Sequence, residues 1–124
     1  MNAPQDKAAR ILLVHDDDYF TSRAVAALQA TGLTVTKSST VADAVGQLAA
    51  IPPPELLITR MRFGLNGSGI ALAKMARQLH RDIKIIFIAL REFEQDAAGL
   101  GDFLPAPVSI PDLVAAVNEA LADR

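Results

Sequence analysis

The chain has 124 residues, which suits a single domain that buries its own core. Its 14 acidic and 12 basic side chains nearly cancel and form no long block, which argues against a nucleic-acid-binding surface. Cysteine is absent, so disulfides and thiolate metal sites are excluded. The apolar stretches are too short to cross a membrane, and residues 1–10 lack the apolar centre of a secretory signal, so we expect a cytoplasmic protein.

Short aliphatic runs alternate along the chain with longer segments that have helical spacing. Residues 1–9 are interpreted as a loose tail, which leaves residues 10–124 as one domain. The aliphatic runs predict five strands, at residues 11–14, 33–36, 55–59, 83–89 and 102–104.

Capping residues mark the boundaries of the predicted helices. The first helix covers residues 18–31 and ends before Gly32, which is typical of the residue after a helix. The second opens at Thr40, whose hydroxyl suits a helix N-terminus. The third covers residues 68–80, and the last begins at Ser109.

The segment between the fourth and fifth strands is the irregular one. Only residues 91–98 are available there before a glycine, enough for about two helical turns. A helix this short depends on tertiary packing for its stability. We therefore expect the fourth helix to be short, displaced or mobile.

Strands that alternate with helices predict right-handed parallel crossovers and a sheet covered on both faces. Five such repeats fit an α/β, three-layer flavodoxin-like sandwich with sheet order 2-1-3-4-5. Functional residues of such sheets lie at the carboxyl ends of the strands. This rule selects the residues that end or follow the strands: His15, Asp16, Asp17, Arg60, Ala89, Leu90, Ala106 and Pro107.

Four segments with suitable order and spacing lie at or near these strand ends. They are residues 11–17 (ILLVHDD), 54–62 (PELLITRMR), 67–72 (GSGIAL) and 103–108 (FLPAPV). Together they resemble the bacterial response-regulator receiver domain, and the resemblance covers nearly the whole chain. Any one match is weak, but four in order are specific.

The resemblance implies an acidic pair after the first strand that helps to hold magnesium, and an aspartate after the third strand that accepts a phosphoryl group. It also implies a hydroxyl residue after the fourth strand and a lysine after the fifth, which bind the phosphoryl oxygens. At these positions the sequence has His15 and Asp16, Arg60, Ala89 and Ala106. Only Asp16 keeps the family's residue type. We therefore expect a pseudo-receiver that is not phosphorylated, is not an enzyme and holds no metal or cofactor.

The roles of the pocket residues have alternatives. Arg60 either pairs with Asp16 or Asp17 across the pocket mouth or extends into solvent. His15 is either a pH-sensitive group or a hydrogen-bonded side chain at a strand end. A metal site built from His15, Asp16 and Asp17 is poorly supported, because adjacent residues point in different directions along a strand.

Other features have milder interpretations. The loop at residues 67–69 is either an anion cradle or a plain turn, and we favour the turn. The resemblance implies a cis peptide bond between Ala106 and Pro107. His80 is interpreted as an ordinary residue at the end of the third helix.

We expect the chain to act by protein–protein interaction in a two-component-type pathway. A protein partner or a second copy would dock on the face formed by the short fourth helix, the fifth strand and the last helix, near Phe93, Phe103 and Pro107. Neither nucleic acid nor a membrane is an expected partner. The alternative is a small-ligand or anion sensor that uses the altered pocket around Arg60.

Overall fold

The computed structural model describes residues 8–122, apart from the side chain of Asn66. The predicted tail therefore lies outside the described residues except at its end. There Ala9 is buried, and its carbonyl oxygen accepts a hydrogen bond of 2.9 Å from the backbone nitrogen of Thr34. Ala9, which the sequence placed in the tail, is therefore packed against the rest of the fold.

Five parallel strands form one sheet with the order β2-β1-β3-β4-β5, which confirms the predicted flavodoxin-like architecture. The central strands β1, β3 and β4 are almost entirely buried, as expected for strands covered on both faces. The strands are β1 (Arg10–Val14), β2 (Thr34–Ser38), β3 (Leu56–Arg60), β4 (Lys84–Ala89) and β5 (Asp102–Pro105).

The second strand differs from its prediction because it lies at the edge of the sheet. It extends to Ser38, which pairs with Val14 and is buried. The prediction ended at Thr36, where the aliphatic run ends. An edge strand carries polar side chains on its exposed positions, so its hydrophobic pattern marks its ends poorly.

Four α-helices cover the sheet, and their starts agree with the capping signals. Thr40 caps the second helix by accepting a hydrogen bond from Asp43 N (3.1 Å), and Ser68 and Ser109 cap the third and last helices in the same way. The helices are α1 (Asp18–Ala30), α2 (Val41–Leu48), α3 (Gly69–Leu79) and α4 (Ile110–Ala122).

Residues Arg91–Ala97 form a 3₁₀ helix between β4 and β5, in place of an α-helix. It was predicted to be short or irregular, and it is both. Ala97 is buried and Phe93 packs against the core, so tertiary contacts hold this segment.

Two clusters of buried side chains lie on opposite faces of the sheet and make the fold a three-layer sandwich. One cluster packs α2, α3 and the 3₁₀ helix against residues such as Leu57 and Phe87. The other packs α1 and α4 against residues such as Leu13 and Ile86.

Within residues 8–122, no helix has the length and apolar character needed to cross a membrane.

Candidate functional site

The carboxyl ends of four neighbouring strands form an open pocket of about 510 Å³. Arg60 and Ala89 end β3 and β4, and Ala106 follows β5. The structure thereby brings together most of the residues selected from the sequence. The lining residues are His15, Asp17, Phe20, Arg60, Arg62, Ile88, Ala89, Leu90, Phe93, Ala106, Pro107 and Val108.

Arg60 forms an ion pair with Asp16 at the mouth of the pocket. Arg60 Nη1 donates a hydrogen bond of 2.6 Å to Asp16 Oδ1. This confirms the pairing expected from the sequence and selects Asp16 over Asp17. Burial acts to raise the pKa of Asp16, but the hydrogen bond and charge of Arg60 outweigh it and hold that pKa below 3.8.

His15 is a hydrogen-bonded side chain at the end of β1. Its Nδ1 accepts a hydrogen bond of 3.1 Å from the backbone nitrogen of Asp17, and its ring lies 4.7 Å from that of Phe20, between centroids. Burial lowers the pKa of His15 below 6.5, and the charge of Arg60 lowers it further. The charges of Asp16 and Asp17 act in the opposite direction but do not reverse the shift. The neutral form of the imidazole is therefore favoured, in agreement with Nδ1 acting as an acceptor.

Asp17 acts as the N-cap of α1. Its Oδ1 accepts a hydrogen bond of 3.1 Å from the backbone nitrogen of Phe20. A carboxylate at this position satisfies a free helix N–H and interacts favourably with the helix dipole. Asp17 therefore has a structural role at the start of α1.

The loop after β3 folds back closely on the strand and positions Arg60. The backbone nitrogen of Gly69 donates to the carbonyl of Met61 at 2.9 Å. A Cβ atom at Gly69 would overlap the carbonyl oxygen of Arg60, which also accepts a hydrogen bond of 2.8 Å from the buried Thr59 hydroxyl. Only glycine permits this close approach of two backbones. Residues 67–69 therefore act as a tight turn into α3, in agreement with the interpretation that was favoured.

Arg62 is a pocket residue that sequence reasoning missed. Its guanidinium lies 4.8 Å from the ring centroid of Phe93, a cation–π arrangement between the β3 loop and the 3₁₀ helix. Among residues 8–122 it has no carboxylate partner. The only available signal was its position two residues after Arg60, just beyond the end of β3.

Two further features outside the charged centre were also singled out from the sequence. The peptide bond between Ala106 and Pro107 is cis, as the resemblance implied. His80 has a more definite role than predicted, since its Nε2 lies 2.7 Å from the carbonyl oxygen of Leu48 and links the ends of α3 and α2.

No protein-family model and no curated protein matches this sequence. Many solved structures do share its fold. A response regulator receiver protein from Sinorhizobium medicae WSM419 is 24% identical, with a TM-score of 0.82 over 94% of this chain and 96% of that chain. A CheY-like receiver domain from Methanospirillum hungatei JF-1 is 21% identical (TM-score 0.84; 94% and 96% covered). One from Clostridium thermocellum is 19% identical (TM-score 0.82; 93% and 95% covered). The fold is that of a response-regulator receiver domain.

The receiver fold implies a magnesium ion at these strand ends, but the residues present do not fit one. Magnesium prefers an octahedron of oxygen ligands. Here Asp16 is paired with a guanidinium, and Nδ1 of His15 is occupied by a backbone N–H. Within the described residues, no group of three or more His, Asp and Glu side chains is placed to hold a metal.

The three residues expected on an interaction face lie in two different environments. Phe93 and Pro107 line the pocket. Phe103 instead packs against the buried cluster beneath β5 and the 3₁₀ helix, and it does not line the pocket. Phe93 and Pro107 therefore belong to the pocket wall, whereas Phe103 belongs to the packed core.

Proposed function

We propose that this chain is a pseudo-receiver: a signalling module of a two-component-type pathway that acts by protein–protein interaction without being phosphorylated. One observation carries the proposal. The position at which the receiver resemblance expects the phosphoacceptor aspartate is Arg60, and this arginine is paired with Asp16.

The chemistry of phosphoryl transfer supports this proposal. The nucleophile of a receiver is a carboxylate, whereas a guanidinium stays protonated and has no free lone pair to offer. Cations or hydroxyl groups must also meet the charge that develops on the phosphoryl oxygens. Ala89 and Ala106 offer neither at the corresponding strand ends. We therefore propose that the chain is not an enzyme.

The proposed partner is a protein, which docks on the face formed by the 3₁₀ helix, β5 and α4. The pocket reaches this face through Phe93 and Pro107, so the packing of the pocket residues sets the shape that a partner meets. A nucleic-acid partner is not favoured, because 12 basic side chains are balanced by 14 acidic ones.

Phosphorylation is tested by incubating the full chain with magnesium and acetyl phosphate and measuring intact mass. We expect no phosphoryl adduct on the native chain, whereas a phosphorylatable receiver domain treated in parallel gains one. Arg60→Asp restores the carboxylate but not the hydroxyl or the lysine, so we expect it to label poorly. A stable adduct on the native chain would overturn the proposal.

The docking face is tested with two matched substitutions at exposed helix positions. Ala115→Arg places a charge on α4, and Ala71→Arg places the same charge on α3, which lies on the other face of the sheet. In pull-downs from native extract and in sedimentation, we expect Ala115→Arg to abolish an association that Ala71→Arg retains. If the native chain is monomeric and captures nothing, or if both variants behave alike, the proposed face is wrong.

A further inference from the structure

We propose that the pocket at the strand ends binds a small organic acid with an apolar body, whose carboxylate contacts Arg60 and Arg62. This inference goes beyond the interaction function and does not depend on it. It concerns a free ligand, whose binding can be measured without any partner protein.

The size and lining of the pocket suit a small molecule. A volume of about 510 Å³ lies within the range of roughly 300–1,000 Å³ that is usual for ligand sites. The walls are mostly apolar side chains from β4, from the turn after β5 and from the 3₁₀ helix. Ala89 and Ala106 contribute only methyl groups, which leaves the space open.

The charges that line the pocket favour an anion. Arg60 and Arg62 are the cations, and Asp17 is the only carboxylate among the lining residues. The carboxylate of Asp17 is engaged as the N-cap of α1, and Asp16 lies outside the lining. The pocket therefore presents two guanidinium groups, while its single lining carboxylate is bound through Oδ1 to a backbone N–H.

The two arginines are held differently, and both can still donate. Arg62 has no carboxylate partner in the described part of the chain and is held over the ring of Phe93 at 4.8 Å. Arg60 uses Nη1 for Asp16, while a guanidinium has five N–H donors. A carboxylate takes two parallel N–H bonds from such a fork.

The class of ligand follows from this combination. A charged head meets the two arginines, and an aromatic or aliphatic body covers Ala89, Ala106 and Phe93. Inorganic anions lack the body, and neutral aromatic compounds lack the head. Both parts are therefore required for tight binding.

The test titrates the full chain with three probes while amide NMR shifts are followed. Cinnamate has both head and body, cinnamamide has the same body without charge, and acetate has the head alone. We expect cinnamate to shift the amides of Ala89 and Ala106, and to bind about tenfold or more tighter than cinnamamide, which corresponds to the loss of one charged contact. Acetate should cause no saturable shift.

Two substitutions locate the site, and a third controls for net charge. Arg62→Gln should weaken cinnamate about tenfold, and Ala106→Leu should block it by filling the pocket. Arg81→Gln removes the same charge before the amino end of β4, at the opposite end of the strands from the pocket, and should leave binding unchanged. Thermal melts check that each variant is folded. If Ala106→Leu does not fold, Arg62→Gln decides the outcome, because Arg62 is exposed and its substitution should leave the fold intact.

Three results would overturn the inference: no saturable binding of cinnamate, equal binding of cinnamate and cinnamamide, or equal weakening by Arg62→Gln and Arg81→Gln. None of these bears on whether the chain accepts a phosphoryl group or docks a protein. Failure of the ligand site is therefore distinguishable from failure of the proposed function.

Discussion

We expect the ion pair between Arg60 and Asp16 to contribute measurably to stability, and a double-mutant cycle isolates that contribution. The variants are Arg60→Ala, Asp16→Ala and the two combined. The two side chains are 41% and 43% exposed, so water screens their attraction, and exposed pairs contribute only about 0–1 kcal/mol. The short hydrogen bond of 2.6 Å places this pair near the upper end, at about 1 kcal/mol. For a domain of this size, that corresponds to a fall of roughly 4 °C in Tm.

The pH dependence of this coupling has a definite sign. The pKa of Asp16 is lower in the folded protein than its ordinary value of 3.8. The pair therefore stabilises the protein fully above that value, and its contribution is lost as the pH falls through the lower, folded pKa. The coupling should also weaken at high salt, because the pair is accessible to solvent.

Chemical denaturation of all four proteins, across a pH series and at two salt concentrations, gives the coupling free energy. A coupling near zero at neutral pH would show that Arg60 contributes nothing through Asp16. A coupling that persists unchanged below the pKa of Asp16 would show that the interaction is not ionic. Either result refutes the electrostatic reasoning.

Three further perturbations follow from the described contacts. Gly69→Ala forces a Cβ atom against the carbonyl oxygen of Arg60 and should lower the free energy of unfolding by about 3 kcal/mol. At Gly46 in α2 a Cβ atom would meet nothing within 4 Å, so Gly46→Ala should raise the free energy of unfolding by about 0.5–1 kcal/mol. Urea unfolding compares the pair, and equal effects would disprove the close approach. The lowered pKa of His15 means that stability falls as the pH drops below 6.5; His15→Asn should flatten that fall, and an unchanged pH profile would contradict it. Thr40→Ala removes the N-cap of α2 and should cost about 1 kcal/mol in a thermal melt, whereas Thr40→Ser should cost little.

The parts of the fold that were predictable from sequence are those set by local patterns. The central strands read as nearly continuous aliphatic runs because both of their faces are covered, and the helices were recognised at hydroxyl caps such as Thr40 and Ser109. The edge strand β2 was placed less well, because exposure to solvent dilutes its hydrophobic pattern. The change from α-helix to 3₁₀ helix at residues 91–97 depends on packing against the core, which no local pattern encodes.

The candidate site was predictable where the strand-end rule and the receiver resemblance assigned positions. Both singled out His15, Asp16 and Arg60, and strand adjacency explained why they meet. Neither could find Arg62, because the contact with Phe93 joins two irregular segments whose relative placement depends on the whole domain. The link from His80 to the end of α2 was missed for the same reason.

The two outer strands of the sheet also decide how another protein can attach. β2 exposes polar side chains along its free edge, including Lys37. β5 has only four residues and ends in Pro105, which has no N–H to donate. Edge strands that are short, polar or end in proline discourage another strand from extending the sheet. They also protect against aggregation through strand pairing. A protein docked on this domain would therefore contact side chains of its helices and loops rather than pair with its sheet.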